Sequence, residues 1–154
     1  MPGPFEAFAL LLGKTWKGTF ASSTLEKPMV DVMRWELVLN GQAVRSLHSI
    51  NDGQYGGETI YMHDPKTGGF IYFYFTTAGY YTQGTLSVQD GKLVSRETVH
   101  GDEDGVTEVE SVGEILPDGR LHTHARYFRQ GKWEDGHEVF YAEDPGAQVK
   151  FKPA

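Results

Sequence analysis

The side chains in this 154-residue sequence that could do chemistry are histidines, carboxylates and tyrosines, because it contains no cysteine. Thiolate catalysis, disulfide frameworks and cysteine-ligated zinc or iron-sulfur sites are therefore excluded. The set of interest is His48, Glu58, Glu97, Tyr80 and Tyr127. An imidazole beside a carboxylate in an apolar setting exchanges a proton near neutral pH, with His48 as base and Glu97 or Glu58 holding its tautomer. His122 and His124, in "HTH", place two imidazoles on one strand face, suitable for a metal but without an obvious third ligand. No nucleophile elbow, H-E-x-x-H, P-loop or dinucleotide fingerprint occurs, and the doublets Gly56-Gly57 and Gly68-Gly69 read as turns.

Those residues need a scaffold, and the turn signals supply one. They recur about every ten residues, from "LNGQ" and "NDGQ" through "HDPKTGG", "TTAG", "QDGK" and "GDEDG" to "LPDGR" and "RQGK". With a strand opening at Lys14 they delimit ten strands. Only "PFEAFALLLG" has helical spacing, through Phe5, Phe8 and Leu12. Ten successive antiparallel strands would expose two long edges, and closure removes both. The expectation is one all-β domain over residues 1–154, a ten-stranded antiparallel up-and-down barrel with a short N-terminal helix at one mouth.

Hairpin register sorts inside from outside, since paired residues share a face. About Asn40-Gly41, Trp35 pairs with Ser46 and Met33 with His48, leaving Glu36 and Arg45 to solvent. About "QDGK", Gly84 pairs with Glu97. A two-residue turn in "TTAG" pairs Phe75 with Tyr80 and Phe73 with Thr82, which carries Ile71, Met62, Ile60 and Glu58 inward as well. A three-residue loop in "LPDGR" puts Leu121, Thr123, Ala125 and Tyr127 inside and His122, His124 and Arg126 outside. Gly136 marks a bulge position, so His137 and Glu138 remain alternatives for the inward residue. The expected ligand-binding set is Met33, Trp35, His48, Glu58, Phe73, Phe75, Tyr80, Glu97 and Tyr127, with His48, Glu58 and Glu97 the catalytic candidates and no metal. The same register leaves Phe70, Tyr72, Tyr74 and Tyr81 as an outer aromatic patch through which a homodimer would form.

The formal net charge of -7 is spread along the chain without a Lys/Arg stripe, so nucleic acid is not an expected partner. "AFALLLG" is too short to span a bilayer and has no basic leader, so neither membrane nor secretion is expected and the address is cytoplasmic.

In layout, with a short helix, then "GKTWKG", then hairpins to the end, the chain resembles the calycin superfamily of lipocalins and fatty-acid-binding proteins. It is most similar to small bacterial lipocalin-like proteins. Trp16 is similar to the tryptophan that closes one end of lipocalin barrels, here as G-x-x-W. Trp16-x-Gly18 also looks like the opening of nitrobindins, which bind haem. The late Arg-x-Tyr pair of fatty-acid-binding proteins is not matched, because Arg126 and Tyr127 are adjacent. The inward set, apolar walls with a few convergent polar groups, leads to the expectation of a lumen that binds a small, largely apolar molecule without catalysis. A cofactor-independent isomerase or cyclase using the His/Glu pair is the alternative, and a haem barrel using His137 is a further one. No cofactor is otherwise expected.

Overall fold

The computed structural model describes residues 3–102 and 104–153, so Glu103 of the expected "GDEDG" turn lies outside the described residues. Ten strands form a closed antiparallel barrel: β1 (Lys14–Phe20), β2 (Val30–Val38), β3 (Ala43–Ile50), β4 (Tyr55–His63), β5 (Phe70–Thr76), β6 (Tyr81–Gln89), β7 (Lys92–His100), β8 (Val106–Ile115), β9 (Leu121–Arg129) and β10 (Lys132–Glu143). Each strand pairs with its sequence neighbours, and β1 closes the ring against β10. The turn chemistry explains the meander. Asp90 and Gly91 both adopt positive φ, 52° and 75°, as a two-residue hairpin turn requires to match strand twist.

The N-terminal segment forms a 3-10 turn, Pro4–Phe8, and not the longer helix its periodicity suggests. Phe5, Phe8 and Leu11 are buried at 7%, 0% and 2% exposure. A spacing of three matches the three residues per turn of a 3-10 helix, so docking of this stripe prevails over a segment too short to hold an α-helix alone. Phe8 enters the barrel mouth, with ring centroids 5.7 Å from Trp35, 5.3 Å from Tyr61 and 4.9 Å from Phe70. With Trp16, also buried, this cluster makes a dry plug at the end of the barrel that holds the 39–42 and 64–69 turns.

The registers of β2–β3, β6–β7 and β8–β9 match the sequence count, including Met33 opposite His48 and Gly84 opposite Glu97. The β5–β6 register does not. Phe75 pairs with Tyr81 and Tyr74 with Thr82, because Thr76 and Tyr80 close a three-residue loop by the bond from Thr76 N to Tyr80 O, 3.2 Å. A slip of one residue exchanges the two faces. Glu58, Ile60, Met62, Ile71, Phe73 and Phe75, expected inside, therefore face outward, whereas Phe70, Tyr72 and Tyr74, expected outside, face inward. Exposure follows: Phe70 and Tyr72 stand at 3% and 5%, Phe73 and Phe75 at 37% and 52%. Apolarity misled here because the outer face of β4–β5 is as apolar as the inner one.

Phe70→Ala should cost about 3–5 kcal/mol of stability by opening a cavity in the plug. Phe73→Ala, two pleats along on the outer face, should cost under ~1 kcal/mol. Urea denaturation of the two variants checks this order, and a larger loss at Phe73 would contradict the assigned interior.

Candidate functional site

Away from the plug, the barrel interior becomes polar. Its centre is a hydrogen-bonded chain that joins residues of five strands. Asp31, on β2 and 3% exposed, accepts from Tyr141 Oη at 2.6 Å and pairs with His48 Nδ1 at 2.9 Å. His48 Nε2 meets the Tyr74 hydroxyl at 2.6 Å. Tyr74 lies 3.1 Å from the Tyr55 hydroxyl, which in turn bonds Tyr80. Both oxygens of a buried carboxylate are thus satisfied, as burial demands. The residue that orients His48 is Asp31, and neither Glu97 nor Glu58. Glu58 faces out and pairs with Arg45 at 3.6 Å.

Glu97 stands on the opposite wall, where it accepts from Thr82 Oγ1 and, at 3.1 Å, from Tyr72 Oη. Burial raises its carboxyl above the ordinary glutamate value, with the Thr82 and Tyr72 bonds acting in the opposite direction. Burial likewise raises the phenols of Tyr55, Tyr72, Tyr80 and Tyr127, and the charge of Glu97 raises each of them further. At the rim, a register shift between Asp135 and Glu138 settles the β10 parity. His137 turns inward, where Nδ1 meets the Tyr127 hydroxyl and the ring packs on Phe20 at 4.8 Å. Burial lowers its pKa. Glu138 turns outward to His122 at 2.8 Å, and His124 meets Asp135 at 2.7 Å. The "HTH" histidines are thus held in outer-wall hydrogen bonds to carboxylates, and no group of three such residues is arranged for a metal among the described residues.

Glycines seat these aromatic residues. A β-carbon at Gly57 would lie 2.4 Å from the Tyr74 ring, and one at Gly18 or Gly84 would lie 2.7 Å from the rings of Tyr141 or Tyr72. The tyrosines cross the wall where no side chain stands. Facing them, β7, β8 and β9 present small inward residues, Ser95, Ser111, Gly113, Thr123 and Ala125. All but Gly113 retain solvent contact, as do Tyr55, Tyr74, Tyr80, Glu97 and Tyr127. Water therefore reaches inside the barrel from the end opposite the plug. Two surface concavities measure about 580 and 570 Å³, one against the C-terminal tail and one along β5–β7 whose lining includes Tyr72, Gly84 and Glu97.

Of the residues expected at the site, Met33 and Trp35 belong to the buried core, the latter donating from Nε1 to Met33 Sδ at 3.3 Å. His48, Tyr80, Glu97 and Tyr127 face the polar lumen, while Glu58, Phe73 and Phe75 are outside it. The sequence count missed Asp31, Tyr55, Tyr74 and Tyr141. Asp31 was within its reach, since one further pair beyond Met33 and His48 sets Asp31 opposite Ile50.

No protein-family model matches the chain, and no curated protein matches it. The closed ten-stranded antiparallel barrel is compatible with a calycin-like fold.

A carboxyl whose pKa is raised on folding contributes stability that is fully present below its unfolded value, about 4.5, and lost as pH rises through the folded value. Glu97→Gln should therefore gain stability relative to the parent as pH rises from 4 to 8, by about 1.4 kcal/mol for each unit by which folding raises the carboxyl. Melting temperatures across that range test this, and a constant difference would show that Glu97 is not desolvated.

Proposed function

We propose that the barrel binds a small, largely apolar molecule in its lumen, with one or two polar groups met by Tyr80, Tyr127, Glu97 and the His48 chain. One observation carries this reading: the small inward residues of β7–β9 stand opposite the tyrosine wall and keep contact with solvent. An apolar body with a few convergent hydrogen-bonding groups is the usual make-up of a ligand site, and ten strands enclose more space than eight. Binding fits an opening at the unplugged end. Ala125→Trp should fill the lumen and reduce uptake of a solvatochromic apolar dye about tenfold or more while leaving the fold intact by circular dichroism. Unchanged uptake would place the dye elsewhere and remove the support for this reading.

A second reading is favoured by the Asp31–His48–Tyr74 chain. It has two self-consistent polarities. Tyr74 donates to Tyr55, the polarity in which protonated His48 donates to Tyr74 and leaves Tyr80 a donor; the opposite one, in which neutral His48 accepts from Tyr74 and leaves Tyr80 an acceptor, requires that bond to reverse. Reversal would move a proton between the buried imidazole and the lumen, the requirement of a cofactor-independent isomerase acting next to a carbonyl. Deuterium exchange at the α-carbon of small ketones should then be lost in His48→Gln, and no exchange in the parent protein would reject it.

Haem is a weaker fit. His137 faces the lumen, but the Tyr127 hydroxyl already accepts the His137 backbone N–H at 3.4 Å and has its own proton to give Nδ1. That arrangement leaves the imidazole proton on Nε2, whereas an iron ligand needs its other nitrogen to donate to an acceptor. Absence of a Soret band after addition of haemin is the expected result.

Self-association, if it occurs, uses a different patch from the expected one: Met62, Ile71, Phe73, Phe75 and Tyr81, all on the outer face. A second copy suits it, because each flank carries both charges, Glu36–Arg45–Glu58 on one side and Glu108–Arg96–Glu110 on the other. Sedimentation of Phe75→Lys as a monomer beside a dimeric parent is the expected outcome.

A further inference from the structure

We infer that the polar group of the lumen ligand is an amine, held as an ammonium between the Glu97 carboxylate and the Tyr55–Tyr80 pair. This rests on the lumen-binding reading above and adds the chemical class of the ligand. Glu97 uses one carboxylate oxygen, Oε2, for both Thr82 and Tyr72, and its other oxygen has no hydrogen-bond partner among the described residues. Nor does it have a cation. The inward-register lysines and arginine among the described residues are at the strand ends: Lys14 pairs with Glu143 and Arg129 with Glu134, and Lys132 is exposed beside the 130–131 turn. Asp31, the other inward carboxylate away from the strand ends, is already matched by His48 and Tyr141.

A desolvated carboxylate with a vacant acceptor and no counter-charge attracts a cation and repels an anion. The surrounding surface suits a cation as well. Tyr55 and Tyr80 are stacked at 6.4 Å with planes 27° apart, and aromatic faces favour an ammonium by their quadrupoles. Tyr72, which donates to Glu97, and Tyr74, which donates to Tyr55, are successive inward residues of β5, so the carboxylate and the Tyr55–Tyr80 pair border one stretch of the lumen. A carboxylate ligand would meet this same field with the wrong sign, and no lumen arginine waits for it.

The test is calorimetric titration at pH 8 with three molecules of similar body, 2-phenylethylamine, 2-phenylethanol and 3-phenylpropionate. The amine should bind about thirtyfold or more tighter than the carboxylate, as for pairing or opposing a desolvated charge, with the alcohol between them. Glu97→Gln should erase the preference for the amine over the alcohol and the carboxylate, while Glu58→Gln, on the outer wall, should alter nothing. The parent series decides the matter even if Glu97→Gln fails to fold. Carboxylate binding equal to or tighter than amine binding would overturn the inference and leave the lumen reading standing. If none of the three binds, the lumen reading falls, and the inference with it.

Discussion

Closure of β1 onto β10 is the constraint on which the rest of the molecule depends. Gly18 opposite Tyr141 and Phe20 opposite Val139 complete the ladder, so no strand edge is left open and every backbone group of the wall can find a partner in the ring. A closed ring also fixes parity. Each residue either faces the lumen or faces solvent, and the only way to change sides along a strand is a bulge. The register shift in β10 does this once, between Asp135 and Glu138. It brings His137, Val139 and Tyr141 inward and returns Glu138 to the outer histidines. Without it Tyr141 would point away from Asp31, whose second oxygen would be buried and unpaired, at a cost of about 1–3 kcal/mol.

The lumen is divided by chemistry into two halves. Toward the N-terminal plug it is filled by Phe5, Phe8, Trp16, Trp35 and Phe70, which supply the burial that stabilises the barrel. Toward the other end, tyrosines replace phenylalanines at equivalent wall positions, and each hydroxyl is paired. Rings laid over Gly18, Gly57 and Gly84 pack against bare backbone, so a large side chain can lie flat along the wall instead of projecting across the lumen. Glycine weakens a strand, yet here each one gives a tyrosine its orientation. Among the described residues the exception to the general pairing is Trp16, whose Nε1 is buried with no hydrogen-bond partner there. Its place in the plug offers rings and aliphatic groups but no acceptor, and the packing of a large aromatic offsets that loss.

How much of this was legible in the sequence depended on turn length. Asn40-Gly41, Asp90-Gly91 and Pro117-Asp118-Gly119 have turn chemistry that specifies one register, and the faces of their strands follow, including the inward positions of His48, Glu97 and Tyr127. "TTAG" is compatible with two loop lengths, and the choice inverts β4 and β5 together. The β4–β5 count itself was sound, since Met62 does oppose Ile71; what failed was the face inherited from the next hairpin. The β3–β4 connection would have corrected it, because Ser46 opposes Thr59 and His48 opposes Gly57, and that places Tyr61 and Tyr55 inside with them. Gly136 was a visible bulge signal, but a bulge position does not tell which neighbour turns in. Only the partners do, and Tyr127 and Phe20 are distant in sequence.

The polar half also explains why the interior is not simply a second hydrophobic core. Replacing Asp31, His48 and Tyr141 by apolar residues of similar volume would remove two desolvated ionisable groups, a change that is often neutral or favourable for stability. Tyr72 with Thr82 and Glu97 poses the same question more sharply. Asp31 at least has a histidine, whereas Glu97 has only neutral donors on the protein side. Stability alone therefore gives no reason for a carboxylate at position 97, where glutamine would keep the hydrogen bonds to Tyr72 and Thr82 without the cost of burial. The burial of Glu97 is offset by two neutral hydrogen bonds and by no counter-charge among the described residues, so position 97 is where the wall of the lumen departs furthest from what stability alone requires.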